Sequence, residues 1–204
     1  MGFYQNTRKP VGFGGTIMVR LMNVCHSPIA TWGFSKLSMR NNLNILDIGC
    51  GGGKNIATWL RKSKNSHVTG LDYSEVSVAE SSKKNKWAIK RNRCEILRGN
   101  VAEMPFSDNT FDCVSAFETI YFWPGLEECF TEVNRVLKHG GIFMVCNGSD
   151  GENKSDEKWV NIIEGMSVYN EDQLHSALEK AGFYKIKCYI NTKKHWLCIF
   201  AKKK

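Results

Sequence analysis

Asp47 stands two residues before the first glycine of the run Ile45-Leu46-Asp47-Ile48-Gly49-Cys50-Gly51-Gly52-Gly53. Glycines at a strand-to-helix turn let the backbone fold back tightly and let a ligand approach the main chain without meeting a Cβ atom. The spacing is G-x-G-x-G, not the G-x-G-x-x-G of a dinucleotide fingerprint, and the acid lies inside the strand end. An aminoacyl ligand with a protonated amine gives a carboxylate at Asp47 something to hold, whereas a pyrophosphate does not. Asp72 follows at about 20 residues beyond the turn, the distance at which an acid at the next strand end can accept from both hydroxyls of a ribose.

These residues need a parallel sheet to hold them. From Asn44 onward, strand-like apolar runs alternate with segments of helical period, the pattern of a parallel sheet covered by helices. Strands are expected at Asn44–Ile48, His67–Leu71, Cys94–Leu97, Phe111–Phe117 and Ile142–Cys146. Helices are expected from Gly53 to Lys62, from the Ser74 cap to about Asn92, from Pro124 to the stop at Gly140-Gly141, and from Asn170 to Gly182. Lys185–Ile190 and His195–Ala201 pair as a closing hairpin, and Asn147 to about Lys158 reads as polar turns. Residues 1–42 form a helical appendage, with a flexible glycine start, a helix over Ile17–Cys25, a break at Pro28 and a second helix around Trp32–Leu37. Residues 43–204 form the main body of one structural domain.

Five motifs in this order resemble the class I S-adenosylmethionine-dependent methyltransferases, in the broad type 11 or ubiquinone-biosynthesis-like group. They are Leu46-Asp47-Ile48-Gly49-Cys50-Gly51-Gly52-Gly53, Gly70-Leu71-Asp72-Tyr73-Ser74, Gly99-Asn100-Val101-Ala102-Glu103-Met104-Pro105-Phe106, Phe111-Asp112-Cys113-Val114, and Arg135-Val136-Leu137-Lys138-His139-Gly140-Gly141. The resemblance implies an α/β Rossmann-like fold with a seven-stranded, mostly parallel sheet in the order 3-2-1-4-5-7-6. It implies S-adenosylmethionine as cofactor, bound through Asp47, Gly49, Cys50, Gly51, Asp72, Tyr73, Asn100, Val101 and Phe117. Asp47 and Gly49 would lie by the methionine moiety, Gly51 by the adenosine, Asp72 on the ribose and Tyr73 beside the adenine. Asn100 replaces the family's usual aspartate; an amide oxygen can still accept from the adenine amino group, without the strength of a charged acceptor.

The segment Ala116-Phe117-Glu118-Thr119-Ile120-Tyr121-Phe122-Trp123-Pro124 follows the fourth strand, where the resembling enzymes place their reaction centre. Glu118 and Tyr121 are the expected catalytic residues, and His26, Trp32 and Tyr121 the expected acceptor contacts. The segment lacks the N/D-P-P-Y/F signature of enzymes that methylate amino groups of DNA bases or glutamine. The expected reaction is methyl transfer to a small molecule by in-line displacement, with no metal. A non-methylating enzyme or a cofactor-binding module on the same fold is the alternative, with a nicotinamide-dependent oxidoreductase behind it.

The rest of the composition narrows the setting. The 204 residues carry a formal charge of +8, but the basic residues are spread along one expected helix and a C-terminal tail, with no interleaved aromatics to stack bases. No nucleic-acid partner is therefore expected. The eight cysteines show no C-x-x-C spacing and read as reduced and mostly buried. No apolar run is long enough for a membrane span, and Met1–Pro10 lacks a signal-peptide core, so a cytoplasmic location is expected.

Overall fold

The computed structural model describes residues 3–204. Seven strands, β1 (Asn44–Ile48), β2 (His67–Asp72), β3 (Cys94–Arg98), β4 (Phe111–Phe117), β5 (Leu137–Asn147), β6 (Phe183–Asn191) and β7 (Trp196–Lys203), form one sheet in the order β3-β2-β1-β4-β5-β7-β6. The first five run parallel, and β7 enters antiparallel between β5 and β6. The central strands β1, β2 and β4 are buried almost throughout, as expected for parallel strands covered on both faces.

Alternate residues feed two apolar layers. Leu46, Ile48, Val114, Val145 and Phe143 pack toward helices α6 (Leu126–Val136) and α8 (Glu171–Lys180), where Phe130 and Leu174 are fully buried. Ile45, Val68, Cys113 and Met144 pack toward α2 (Ser27–Ser35) and α3 (Lys54–Lys62), around Phe34 and Trp59. Strand order reverses between β1 and β4, so the loops leaving β1, β2 and β4 open on one rim, where an open α/β sheet binds its ligands.

Several boundaries differ from the periodicity. The long helix expected after Ser74 is two helices, α4 (Glu75–Lys84) and α5 (Lys86–Lys90), separated at Asn85. The buried Asn85 side chain donates to Ser81 O and Gly53 O, both at 3.0 Å, and this competition with the backbone breaks the helix while tying it to the glycine turn. Leu137, in phase with α6, is extended instead and opens β5, which starts before Gly140-Gly141 and pairs with β4 through a bulge. The polar stretch after Asn147 ends in a short helix, α7 (Asp156–Ile162).

At the N-terminus, a 3-10 turn (Phe3–Thr7) precedes α1 (Gly12–Cys25), so Gly12, Gly14 and Gly15 lie in a helix and not in a flexible lead. Pro28 starts α2 instead of breaking a helix, because a proline in the first turn gives up an N–H that would have no partner anyway. Helix α1 lies on α4, where Arg20 forms paired hydrogen bonds with Glu80 at 2.8 and 3.1 Å.

Asn85→Ala would leave the Gly53 carbonyl buried without its side-chain donor and should cost about 1–3 kcal/mol. Urea denaturation should show a lower midpoint with an unchanged slope. An unaltered midpoint would mean that Asn85 does not hold the turn.

Candidate active site

The glycine turn is fixed from three sides. Gly49 and Cys50 donate their backbone N–H groups to Leu71 O at 2.7 and 3.1 Å. Gly49 has φ +66°, and a Cβ there would lie 2.1 Å from Thr119 Oγ1; a Cβ on Gly52 would lie 2.0 Å from Asn23 Nδ2. Gly51 is different. Its φ is +50°, yet a Cβ would meet no protein atom within 4 Å, because that side of the turn faces a cavity of about 340 Å³.

Asp72 braces this geometry. Its Oδ2 accepts from Gly51 N–H and its Oδ1 from Ser74 N–H, both at 2.9 Å. Burial raises its pKa, and the two amide bonds oppose that rise. The carboxylate thus links the end of β2 to the glycine turn and also borders the cavity. This bracing role was invisible in the sequence, where Asp72 stood only as a ribose acceptor.

The cavity also brings together Gly49, Cys50, Tyr73, Asn100, Val101, Phe117, Glu118 and His26 from the sequence reading. The Tyr73 hydroxyl donates to Arg8 O from the segment preceding α1. Asn100 Oδ1 accepts from Ala102 N–H at 3.1 Å, so part of its accepting capacity closes its own loop. Phe117 rests on Phe34, with ring centroids 4.9 Å apart. Sequence reasoning missed Thr119, Arg8 and Pro10 as cavity walls. For the segment before α1 no sequence signal existed, because its position depends on Ser74 Oγ donating to Pro10 O at 2.7 Å.

Three expected residues lie outside the cavity lining. Asp47 sits under the turn on the Trp59 side, where Ser115 Oγ donates to its Oδ1 at 2.7 Å and Trp59 Nε1 donates to Ser115 at 3.0 Å. Its Oδ2 is buried without a partner among the described residues, and desolvation pushes the pKa up to about 7. Tyr121 lies behind Glu118, with its hydroxyl 3.4 Å from Oε1, a long hydrogen bond. Trp32 packs on Trp196 at 5.9 Å between ring centroids, at the β7 side of α2, and touches core instead of cavity.

Glu118 leaves β4 in a left-handed conformation, φ +57°, that non-glycine residues seldom adopt. Its N–H donates to Cys146 O at 2.9 Å, and its Oε1 accepts from Gly148 N–H. Burial raises its pKa from 4.5 to about 7, the Gly148 and Tyr121 bonds opposing. Burial lowers the pKa of His26, whose Nε2 is 3.9 Å from Glu118 Oε2. That distance exceeds a hydrogen bond, and burial shifts both groups toward their neutral forms, which weakens the pairing of charges across it. His26 keeps 38% of its side-chain surface accessible because it faces the cavity. Among the described residues, no hydrogen bond reaches Glu118 Oε2 and no cluster of His, Cys, Asp or Glu is arranged to hold a metal.

Residues 46–145 match the family profile described as a methyltransferase domain. The chain is similar to the sterol 24-C-methyltransferase ERG6B of Gibberella zeae, 31% identical over 156 residues, covering 72% of this chain and 41% of that protein. It is also similar to the sterol 4-C-methyltransferase strm-1 of Caenorhabditis elegans, 31% identical over 183 residues, covering 84% of this chain and 52% of that protein. The chain therefore spans about half the length of the curated relatives it matches. In fold it resembles the geranyl diphosphate C-methyltransferase of Streptomyces coelicolor, with a TM-score of 0.76 at 15% identity, covering 87% of this chain and 76% of that one. With the strand order, the glycine turn and the matched profile in agreement, the chain belongs to the class I S-adenosylmethionine-dependent methyltransferases.

Proposed function

We propose that this chain transfers a methyl group from S-adenosylmethionine to an apolar small molecule, with Glu118 on the acceptor side. The observation that carries the reading is one cavity with two unlike walls. One wall is the glycine turn with Asp72, Tyr73, Asn100 and Val101; the other is apolar and holds Glu118 and His26 among Met22, Ile29 and Phe122. The open space at Gly51 and the partnerless Asp47 oxygen fit a ligand that brings its own bulk and positive charge to this end of the sheet. Gly49, Cys50, Gly51, Asp72, Tyr73, Asn100, Val101 and Phe117 would hold the cofactor, and Asp47 would favour its cationic end from beneath the turn.

Bound there, S-adenosylmethionine supplies a methyl group on a sulfonium, which an acceptor takes by direct displacement to leave S-adenosylhomocysteine. The chain's own work is to align the acceptor, and orientation of this kind is worth roughly 7–11 kcal/mol of barrier in model systems. Phe117, Phe122 and Ile29 exclude water, and aromatic faces favour a cationic donor. Gly148 and Tyr121 hold Glu118 by Oε1, which leaves Oε2 to take a proton from the acceptor where the reaction releases one. His26, kept neutral, positions the acceptor beside that oxygen. The names of the sterol methyltransferases it resembles support an apolar acceptor. The assignment is tested by incubating the chain with methyl-labelled S-adenosylmethionine and a lipid extract. Label should enter an apolar product; cofactor retention without methyl loss would make the chain a binding module.

Gly51→Ala separates ligand space from folding. Its Cβ meets nothing in the protein, so only the left-handed φ is penalised, at about 1 kcal/mol, while the cofactor should bind at least about tenfold more weakly. Equal affinity for S-adenosylhomocysteine in the folded variant would remove the turn from the site.

Glu118→Gln should lower turnover by about 10²- to 10⁴-fold if Oε2 takes a proton, with cofactor affinity little changed. In the parent chain, turnover should rise as pH passes about 7 and the carboxyl ionises. Stability should move the other way. With the folded pKa raised from 4.5 to about 7, the native state binds more protons across that window, so stability falls as pH rises through it. The variant should flatten that slope only in part, because Asp47 is also raised to about 7. Full turnover in Glu118→Gln would exclude Oε2 as the proton acceptor.

A further inference from the structure

Helix α1 carries two opposed apolar faces. At about 100° per residue, Gly15, Met18, Val19 and Met22 fall on one side, and Phe13, Ile17, Leu21 and Val24 on the other. The first set turns inward: Gly15, Met18 and Val19 are buried, and Val19 and Met22 wall the cavity. The second set is exposed, with Phe13 at 82% and Val24 at 67%, and Ile17 and Leu21 between them on the same stripe. Val11, one residue before the helix, is also exposed. Four large apolar side chains aligned on the outer face of a cavity wall are more than the scattered exposed hydrophobes of an ordinary surface.

The segment that carries the stripe is one-sided in charge. Residues 1–46 contain Arg8, Lys9, Arg20, Lys36 and Arg40 and no aspartate or glutamate at all. Arg8 and Lys9 are exposed just ahead of α1, where Arg8 donates to Glu164 O and Lys9 lies over the Tyr73 ring, and exposed Arg20 flanks the stripe on the helix itself. The helix beneath, bound through Arg20 and Glu80, ends in exposed Lys83 and Lys84. Beyond them, exposed Trp87 lies under the ammonium groups of Lys86 and Lys90, at 5.3 and 5.0 Å from its ring. An apolar helix face edged by lysine and arginine, with an interfacial tryptophan nearby, matches a surface that lies in the headgroup layer of an anionic bilayer. Among the described residues no helix is long and apolar enough to cross a membrane, so the contact would be peripheral.

We infer that the outer face of α1 docks this chain on an anionic lipid surface, setting the helix that walls the cavity against the bilayer. Val11, Phe13, Ile17, Leu21 and Val24 enter the acyl boundary, and Lys83 and Lys84 meet the headgroup charge. The inference goes beyond the proposed methyl transfer, and its test reads lipid binding without any turnover.

The test is flotation of the full chain with vesicles of phosphatidylcholine alone or of phosphatidylcholine mixed with phosphatidylglycerol. The parent chain should partition at least about tenfold more strongly onto the anionic vesicles, and high salt should weaken that preference. The double variant F13S/V24S should lose vesicle binding while keeping its circular dichroism and its affinity for S-adenosylhomocysteine, since both side chains point away from core and cavity. I190S, a change at an exposed apolar residue of β6, should bind vesicles like the parent. Three results would overturn the inference: no binding of the parent to anionic vesicles, equal binding by F13S/V24S, or a parent dimer in solution that F13S/V24S dissociates, which would give the stripe to a second copy. If S-adenosylhomocysteine binding fails while vesicle binding follows this pattern, the methyl-transfer reading falls and the docking surface stands.

Discussion

The turn from Gly49 to Gly53 is the point at which the molecule is most tightly constrained. Three of its positions lack room for a side chain, each because a different element presses on it: Thr119 from the loop after β4 at Gly49, Asn23 from α1 at Gly52, and Ser81 and Asn85 from α4 and its end at Gly53. Leu71 and Asp72 hold the same turn from β2. The turn thus fixes α1, the loop after β4 and α4 relative to one another. Gly51 alone faces open space, and that space is the cavity.

The electrostatics follow from what surrounds this turn. Asp47, Asp72 and Glu118 are all buried near one end of the sheet, and desolvation raises the pKa of each. Asp72 also raises the carboxyl of Asp47 by repulsion. A protein in water gains nothing by clustering desolvated acids, and the proposed cofactor's positive charge would offset that cost across the turn. Glu118 is separated from the other two by its place on β4 and by its own bonds to Gly148 and Tyr121. Asp72 and Glu118 are thus held by different backbone amides, those of Gly51 and Ser74 for the one and that of Gly148 for the other.

Much of this was legible in the chain because local patterns agreed with the global fold. The strand order and the placement of Asp72 and Glu118 at strand ends followed from the alternation of elements and the family motifs. What escaped was set by contacts distant in sequence. Asn85 breaks its helix only because the carbonyl of Gly53 lies within reach, and Leu137 turns extended only because Phe111 offers a strand partner. Trp32 and His26 looked equivalent in sequence, yet six residues of helical phase send one to Trp196 and the other to Glu118. The segment before α1 joins the cavity through backbone carbonyls of Arg8 and Pro10, which no side-chain pattern records.

The central claim is that the rim around Gly51 and Asp72 recognises an adenosyl amino acid and not a dinucleotide. Isothermal titration of the chain with S-adenosylhomocysteine and, separately, with NAD tests it directly. The account predicts saturable binding of S-adenosylhomocysteine and no measurable heat with NAD. Tight binding of NAD with none of S-adenosylhomocysteine would contradict it.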